Sequence, residues 1–111
     1  MNKIQEDAYE KIKQEMRRGM IVMAAMSQLR EAQYGYSLIQ SLNDQGYEIG
    51  QDTLYPLLRR LEQQGLLLSE WRVEDPRPRR YYQLNEDGLA VLNLLIADWK
   101  NQETVLRSLL S

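Results

Sequence analysis

Neither histidine nor cysteine occurs anywhere in the 111 residues. Their absence removes thiol nucleophiles, Ser-His-Asp triads and the common zinc and iron–sulfur ligand sets together. It also removes disulfides, so nothing ties the chain to an oxidising compartment. Long apolar runs are missing too: the longest, residues 20–26, has seven residues, against the ~20 that cross a bilayer. The polar start, Met1-Asn2-Lys3-Ile4-Gln5-Glu6-Asp7, is unlike a secretory signal. These absences predict a soluble, cytoplasmic chain with no membrane partner, no metal and no cofactor. A basic excess is lacking as well, since 14 Lys and Arg face 16 Asp and Glu for a net charge of −2. That balance argues against a uniformly basic nucleic-acid binder and has to be tested segment by segment.

What is present is ordinary for one globular domain over 1–111: 43% apolar residues and 27% charged. Ile4, Ala8, Ile12, Met16, Met20 and Met23 recur at spacings of four and three, which predicts helix over about residues 3–31. Gly19 is a weak point in it. It either separates a leading helix (3–17) from a body that begins at 19, or kinks one long helix. After the break at Gln33-Tyr34-Gly35, a short helix over 36–44 would bury Leu38, Ile39 and Leu42, with Gln45-Gly46 as its end. A third helix starts near Gly50 or Asp52 and runs to Gln64, its core face marked by Leu54, Leu57, Leu58 and Leu61. Pro56 is best tolerated in a first turn, which predicts a late start with the cap at Asp52 or Thr53.

The period then changes. Residues 66–73 and 80–84 alternate as strands, and the stretch 74–79, with Pro76 and Pro78, can only turn between them. Asn85 caps a last helix over 86–110, with Glu86 and Asp87 at its positive end, about 37 Å long. The fold class is therefore mainly α with a small β-hairpin: a winged helix-turn-helix body (19–84) plus a long C-terminal dimerisation helix.

The last helix is apolar over a wide arc, with Leu92, Leu95, Ile96, Trp99, Leu106 and Leu110 among its large residues. A small winged body can cover only part of it, so a homodimer interface is favoured over a helix folded wholly onto its own domain. On the third helix, Gln51, Asp52, Tyr55, Arg59 and Gln63 lie opposite the leucines, flanked by Thr53 and Arg60. These types reach phosphates and base edges, though any surface helix has a polar face. The hairpin tips the balance towards DNA: Arg77, Arg79 and Arg80 cluster at the tip and descending strand beside Tyr81 and Tyr82, and Pro76 and Pro78 stiffen the tip. Within 76–82 three basic residues stand with no acid. Ser37, at the start of the second helix, joins the candidate DNA contacts.

Tyr34-Gly35-Tyr36, the block Asp52-Thr53-Leu54-Tyr55-Pro56-Leu57-Leu58-Arg59-Arg60-Leu61-Glu62, then Gly65-Leu66-Leu67, Trp71 and Arg79-Arg80-Tyr81-Tyr82-Gln83-Leu84 resemble the PadR family of bacterial transcriptional regulators. The resemblance covers about residues 16–106, and the single C-terminal helix is similar to the family's smaller subfamily. It implies a winged helix-turn-helix homodimer that binds a two-fold operator in double-stranded DNA and usually represses, with recognition helices about 34 Å apart. In that subfamily an aromatic residue of the last helix can line a central cavity that admits flat hydrophobic effectors. Trp99 falls at that place, with Met20 and Met23 as adaptable neighbours, and plain interface packing is the alternative for all three. Ser37 stands where members often carry an acid, and Asn85 where Thr is common. The leading helix lies outside the core resemblance and its role stays open.

Two further classes compete. A winged-helix protein-interaction module without DNA binding would account for the acidic balance and for Asp52, Glu62, Glu74 and Asp75. An enzyme has little support, because carboxylate pairs such as Glu86-Asp87 read as helix-start charge.

Overall fold

A computed structural model describes residues 1–73 and 77–111. The chain runs α1 (Lys3–Gln28), β1 (Gln33–Tyr34), α2 (Gly35–Asp44), α3 (Gln51–Gln63), β2 (Leu67–Arg72), β3 (Arg79–Leu84) and α4 (Glu86–Leu110). Mostly helical, with a small antiparallel sheet, it is a winged-helix fold. Glu74, Asp75 and Pro76, and with them the stiffening expected of Pro76, lie outside the described residues.

α1 opens on a capping box. The Asn2 side chain accepts from the Gln5 N–H at 2.9 Å, and the Gln5 side chain accepts from the Asn2 N–H at 3.1 Å. The helix passes through Gly19 without a break, so a leading helix over 3–17 is not a separate element. It ends at Gln28, three residues short of the expected limit, because Leu29 turns in to the core and donates its N–H back to Met26.

Sequence pattern missed the first strand. Gln33 and Tyr34 pair with Tyr82 and Tyr81, making a three-stranded sheet in the order β1-β3-β2 rather than a lone hairpin. Two residues carry no period to read. Backbone ties then seat the sheet: Leu84 N–H donates to Leu29 C=O at 2.8 Å, and Asn85 N–H to Leu66 C=O at 3.1 Å.

α3 starts at Gln51, within the expected range, but its cap lies two or three residues ahead of the Asp52 or Thr53 that Pro56 suggested. Its cap is Gly50, which offers no side-chain acceptor, and Pro56 is the sixth helical residue rather than a first-turn one. The Gly50 carbonyl accepts from the Leu54 N–H at 3.0 Å, which closes a turn ahead of Pro56. Leu54, Leu57, Leu58 and Leu61 are all enclosed, each contributing about 1.5–3 kcal/mol. Gly65 ends α3's turn at φ +80°, a conformation that favours glycine, and releases the chain into β2.

One cluster forms the core: Ala25, Met26 and Leu29 of α1's end, Leu38 and Leu42 of α2, the four α3 leucines, Leu67, Tyr82, Leu84 and Leu92. Only the C-terminal half of α1 and the first half of α4 take part. Asn85 caps α4 as expected, accepting from the Gly88 N–H at 2.8 Å. No helix among the described residues is long and apolar enough to cross a membrane.

Candidate nucleic-acid interface

The first turn of α3, the start of α2 and the wing strands enclose one cleft of about 650 Å³. Gln51 and Tyr55 of α3, Tyr34 and Tyr36 around α2's start, and Trp71, Arg77, Pro78, Arg79, Arg80 and Tyr82 of the wing line it. Gly35 makes the approach of α2 and α3 possible. A Cβ there would meet the Tyr55 ring at 2.7–2.9 Å and run into its hydroxyl, so Tyr55 is seated over a missing side chain.

Arginine and tyrosine alternate across the sheet. The Arg79 guanidinium lies 4.4 Å from the Tyr34 ring centroid, Tyr34 meets Tyr81 edge-on at 5.3 Å, and Arg72 lies 4.1 Å over Tyr81. Such contacts contribute about 0.5–1 kcal/mol at exposed sites and orient the guanidinium, and the Arg72 Nε also donates to Glu70 Oε1 at 2.9 Å.

Arg80 behaves differently from its neighbours. Its Nη2 donates to Glu62 Oε2 at 2.8 Å and to Ser69 Oγ at 3.0 Å, and Ser69 Oγ donates to the same carboxylate oxygen at 2.6 Å. The trio ties β2 and β3 to the end of α3 and fixes the wing's angle. Arg80, expected among the DNA contacts, is chiefly a brace, although its buried Nε has no partner among the described residues. Under it, burial pushes the Tyr82 hydroxyl above its ordinary pKa. Arg80 opposes that shift and Glu62 adds to it.

The other expected contacts divide by face. Arg59 points outward along α3 with Asp52 and Gln63, while Thr53 and Arg60 turn to the flank nearer α1. Ser37 Oγ lies 2.8 Å from Gln33 Oε1 and 2.9 Å from Tyr34 C=O, so its single proton is engaged in the turn that opens α2. Tyr34 and Trp71 were missed as lining residues. Trp71 pairs in register with Arg80 and is 67% exposed, but its register could not be counted across a turn of unknown shape.

A second, apolar hollow of about 310 Å³ lies between α1 and α4. Met20, Met23 and Trp99 all line it, together with Tyr47, Leu92 and Ile96. Of the residues expected at a dimer interface, Leu92 has to be corrected: it is fully enclosed in the chain's own core and has no surface for a partner. Leu95 and Ile96 are half-buried against that core, whereas Trp99, Leu106 and Leu110 are 45%, 47% and 81% exposed.

Comparison with known proteins places this arrangement. The model of the transcriptional regulator PadR-like family matches residues 22–94. Transcriptional regulator Rv3488 of Mycobacterium tuberculosis is 49% identical over 59 residues, which take in 53% of this chain and 55% of that protein. The chain thus spans about half the length of that relative. Among solved structures, a PadR-family transcriptional regulator from Eggerthella lenta is 44% identical with a TM-score of 0.89, covering 99% of this chain and 98% of the other. A PadR-like transcriptional regulator from Bacillus cereus is 26% identical with a TM-score of 0.77, covering 87% and 97%. With the family model matching two thirds of the chain, from the second half of α1 through the wing into α4, this protein belongs to the PadR-like family of transcriptional regulators.

Proposed function

We propose that the chain is a cytoplasmic transcriptional repressor that binds a two-fold operator as a homodimer, with α3 in the major groove and the wing on the adjoining backbone. The observation that carries this is the shared cleft. Gln51 and Tyr55 of α3 and Arg77 and Arg79 of the wing stand on one face, where helix side chains read base edges and wing arginines grip phosphate. Half-exposed Trp99 and Leu106 and the bare end of α4 support the dimer. The apolar hollow of Met20, Met23 and Trp99 supports a flat hydrophobic effector that inserts between α1 and α4 and shifts the spacing of the two recognition helices.

Titrating the promoter of the chain's own gene at several salt concentrations tests the DNA reading. Arg59→Ala combined with Arg79→Ala is expected to weaken binding at least tenfold and to flatten the salt dependence. Unchanged affinity and slope would show the DNA surface to be elsewhere, and failure to select that promoter over random duplex would favour the protein-interaction alternative. For the effector, planar aromatics should quench Trp99 fluorescence in a Trp71→Phe background, and Ala24→Leu, which fills the hollow and keeps the reporter, should abolish the response.

A further inference from the structure

α3 has a second flank. On the side away from the wing cleft, Thr53, Pro56 and Arg60 face α1 across a groove of about 540 Å³, and α1 brings Gln14, Arg17 and Arg18 to it. Helical geometry puts Arg18 and Ile21 on the side of α1 opposite Met16 and Met23, so this groove is distinct from the apolar hollow beside α4. Three arginines meet one acid there, Glu48. None of the three is in an ion pair among the described residues, while Arg72, Arg80 and Arg107 all are.

A helix of ~10–12 Å diameter that enters a major groove ~12 Å wide has a ridge of phosphates on each side. The wing meets one ridge. From this juxtaposition we infer that the α1–α3 groove receives the other, with Arg17 and Arg18 of α1 joining Arg60 as contacts to the DNA backbone. This gives the first helix a part in DNA binding, and it rests on the proposed role of α3. The two arginine sets then straddle the recognition helix, which sets its depth and tilt as well as adding affinity. It also answers the charge problem: binding needs two small basic patches on either side of α3 rather than a basic molecule.

The test is the salt dependence of binding to a mixed-sequence duplex long enough for both halves of a dimer. Each phosphate contact contributes about 0.9 to the slope of log K against log salt. Arg17→Gln with Arg18→Gln is therefore expected to reduce the slope by about 1.8 per protomer and to weaken operator and random duplex by similar factors. Arg17→Lys with Arg18→Lys, which keeps the charge, should retain most of the slope. Lys11→Gln with Lys13→Gln, which removes equal charge from the same helix outside the groove, should change it far less. The inference is overturned if the glutamine pair leaves the slope intact while Arg59→Ala with Arg79→Ala lowers it. It is also overturned if the lysine pair loses as much as the glutamine pair, because the arginines would then act through packing. A wild-type protein that binds no duplex at all would sink the DNA reading itself, and this inference with it.

Discussion

Adding one methyl group at Gly35 brings the largest steric conflict expected in the candidate interface. The Tyr55 ring occupies the space, and both residues border the cleft between α2, α3 and the wing. Gly35→Ala is expected to cost about 1–3 kcal/mol by overpacking. Because Tyr55 must move away, DNA affinity should fall by more than the stability loss explains. Thermal melts and operator titration of the same variant check both parts. A second residue-scale expectation concerns pH. Burial raises the Tyr82 pKa in the folded state, so folding favours the neutral phenol. That stabilisation is complete below the unfolded value near 10 and is lost as pH rises through the higher folded value. Tyr82→Phe should therefore flatten the decline in stability above pH 10, measured by denaturant midpoints across that range, while leaving the neutral-pH trend unchanged.

At the scale of elements, α3 carries a visible defect. Pro56 in its interior leaves the Asp52 carbonyl without its helical donor, and Gly50 supplies no side-chain cap. Pro56 is exposed and lines the α1–α3 groove, so the core does not require it. Pro56→Ala is expected to stabilise the protein by about 1–2 kcal/mol, the helix gain being partly offset by a freer unfolded chain. A fall in melting temperature would show that the proline is needed for leucine packing. The same helix marks how far a sequence can be read. The spacing of Leu54, Leu57, Leu58 and Leu61 announced a helix and its buried face, and alternation announced β2 and β3. Its cap was misjudged because Pro56 favoured a late one, whereas the Gly50 carbonyl closes the first turn by accepting from the Leu54 N–H. β1 was illegible for another reason: two residues joined to a strand nearly fifty positions away leave no local pattern. In the site, Arg77 and Arg79 were legible as charges, but the engagement of Arg80 with Glu62 and Ser69 depends on a strand register that no local count supplies.

Over the whole molecule, apolar surface is left at two ends. Ile4, Ile12 and Met16 on α1 are 80%, 64% and 64% exposed, and Leu109 and Leu110 on α4 are 73% and 81% exposed. Both helices carry far more length than the core uses, which is why Leu92 turned inward while Leu106 did not. A monomer with such stripes is expected to associate, and association should convert two modest DNA contacts into one useful one, since the second half binds at the effective concentration set by the first. Leu106→Asp with Leu110→Asp removes apolar groups that pack in no core, so the winged body should keep its fold by circular dichroism. Sedimentation equilibrium should show the shift to monomer, and the wild-type dependence of melting temperature on concentration should vanish. Operator affinity should fall much more steeply than affinity for a short half-site duplex, which one protomer can fill alone. If both fall equally, the leucines support the fold rather than the dimer; if neither falls, α4 is not where the two copies meet.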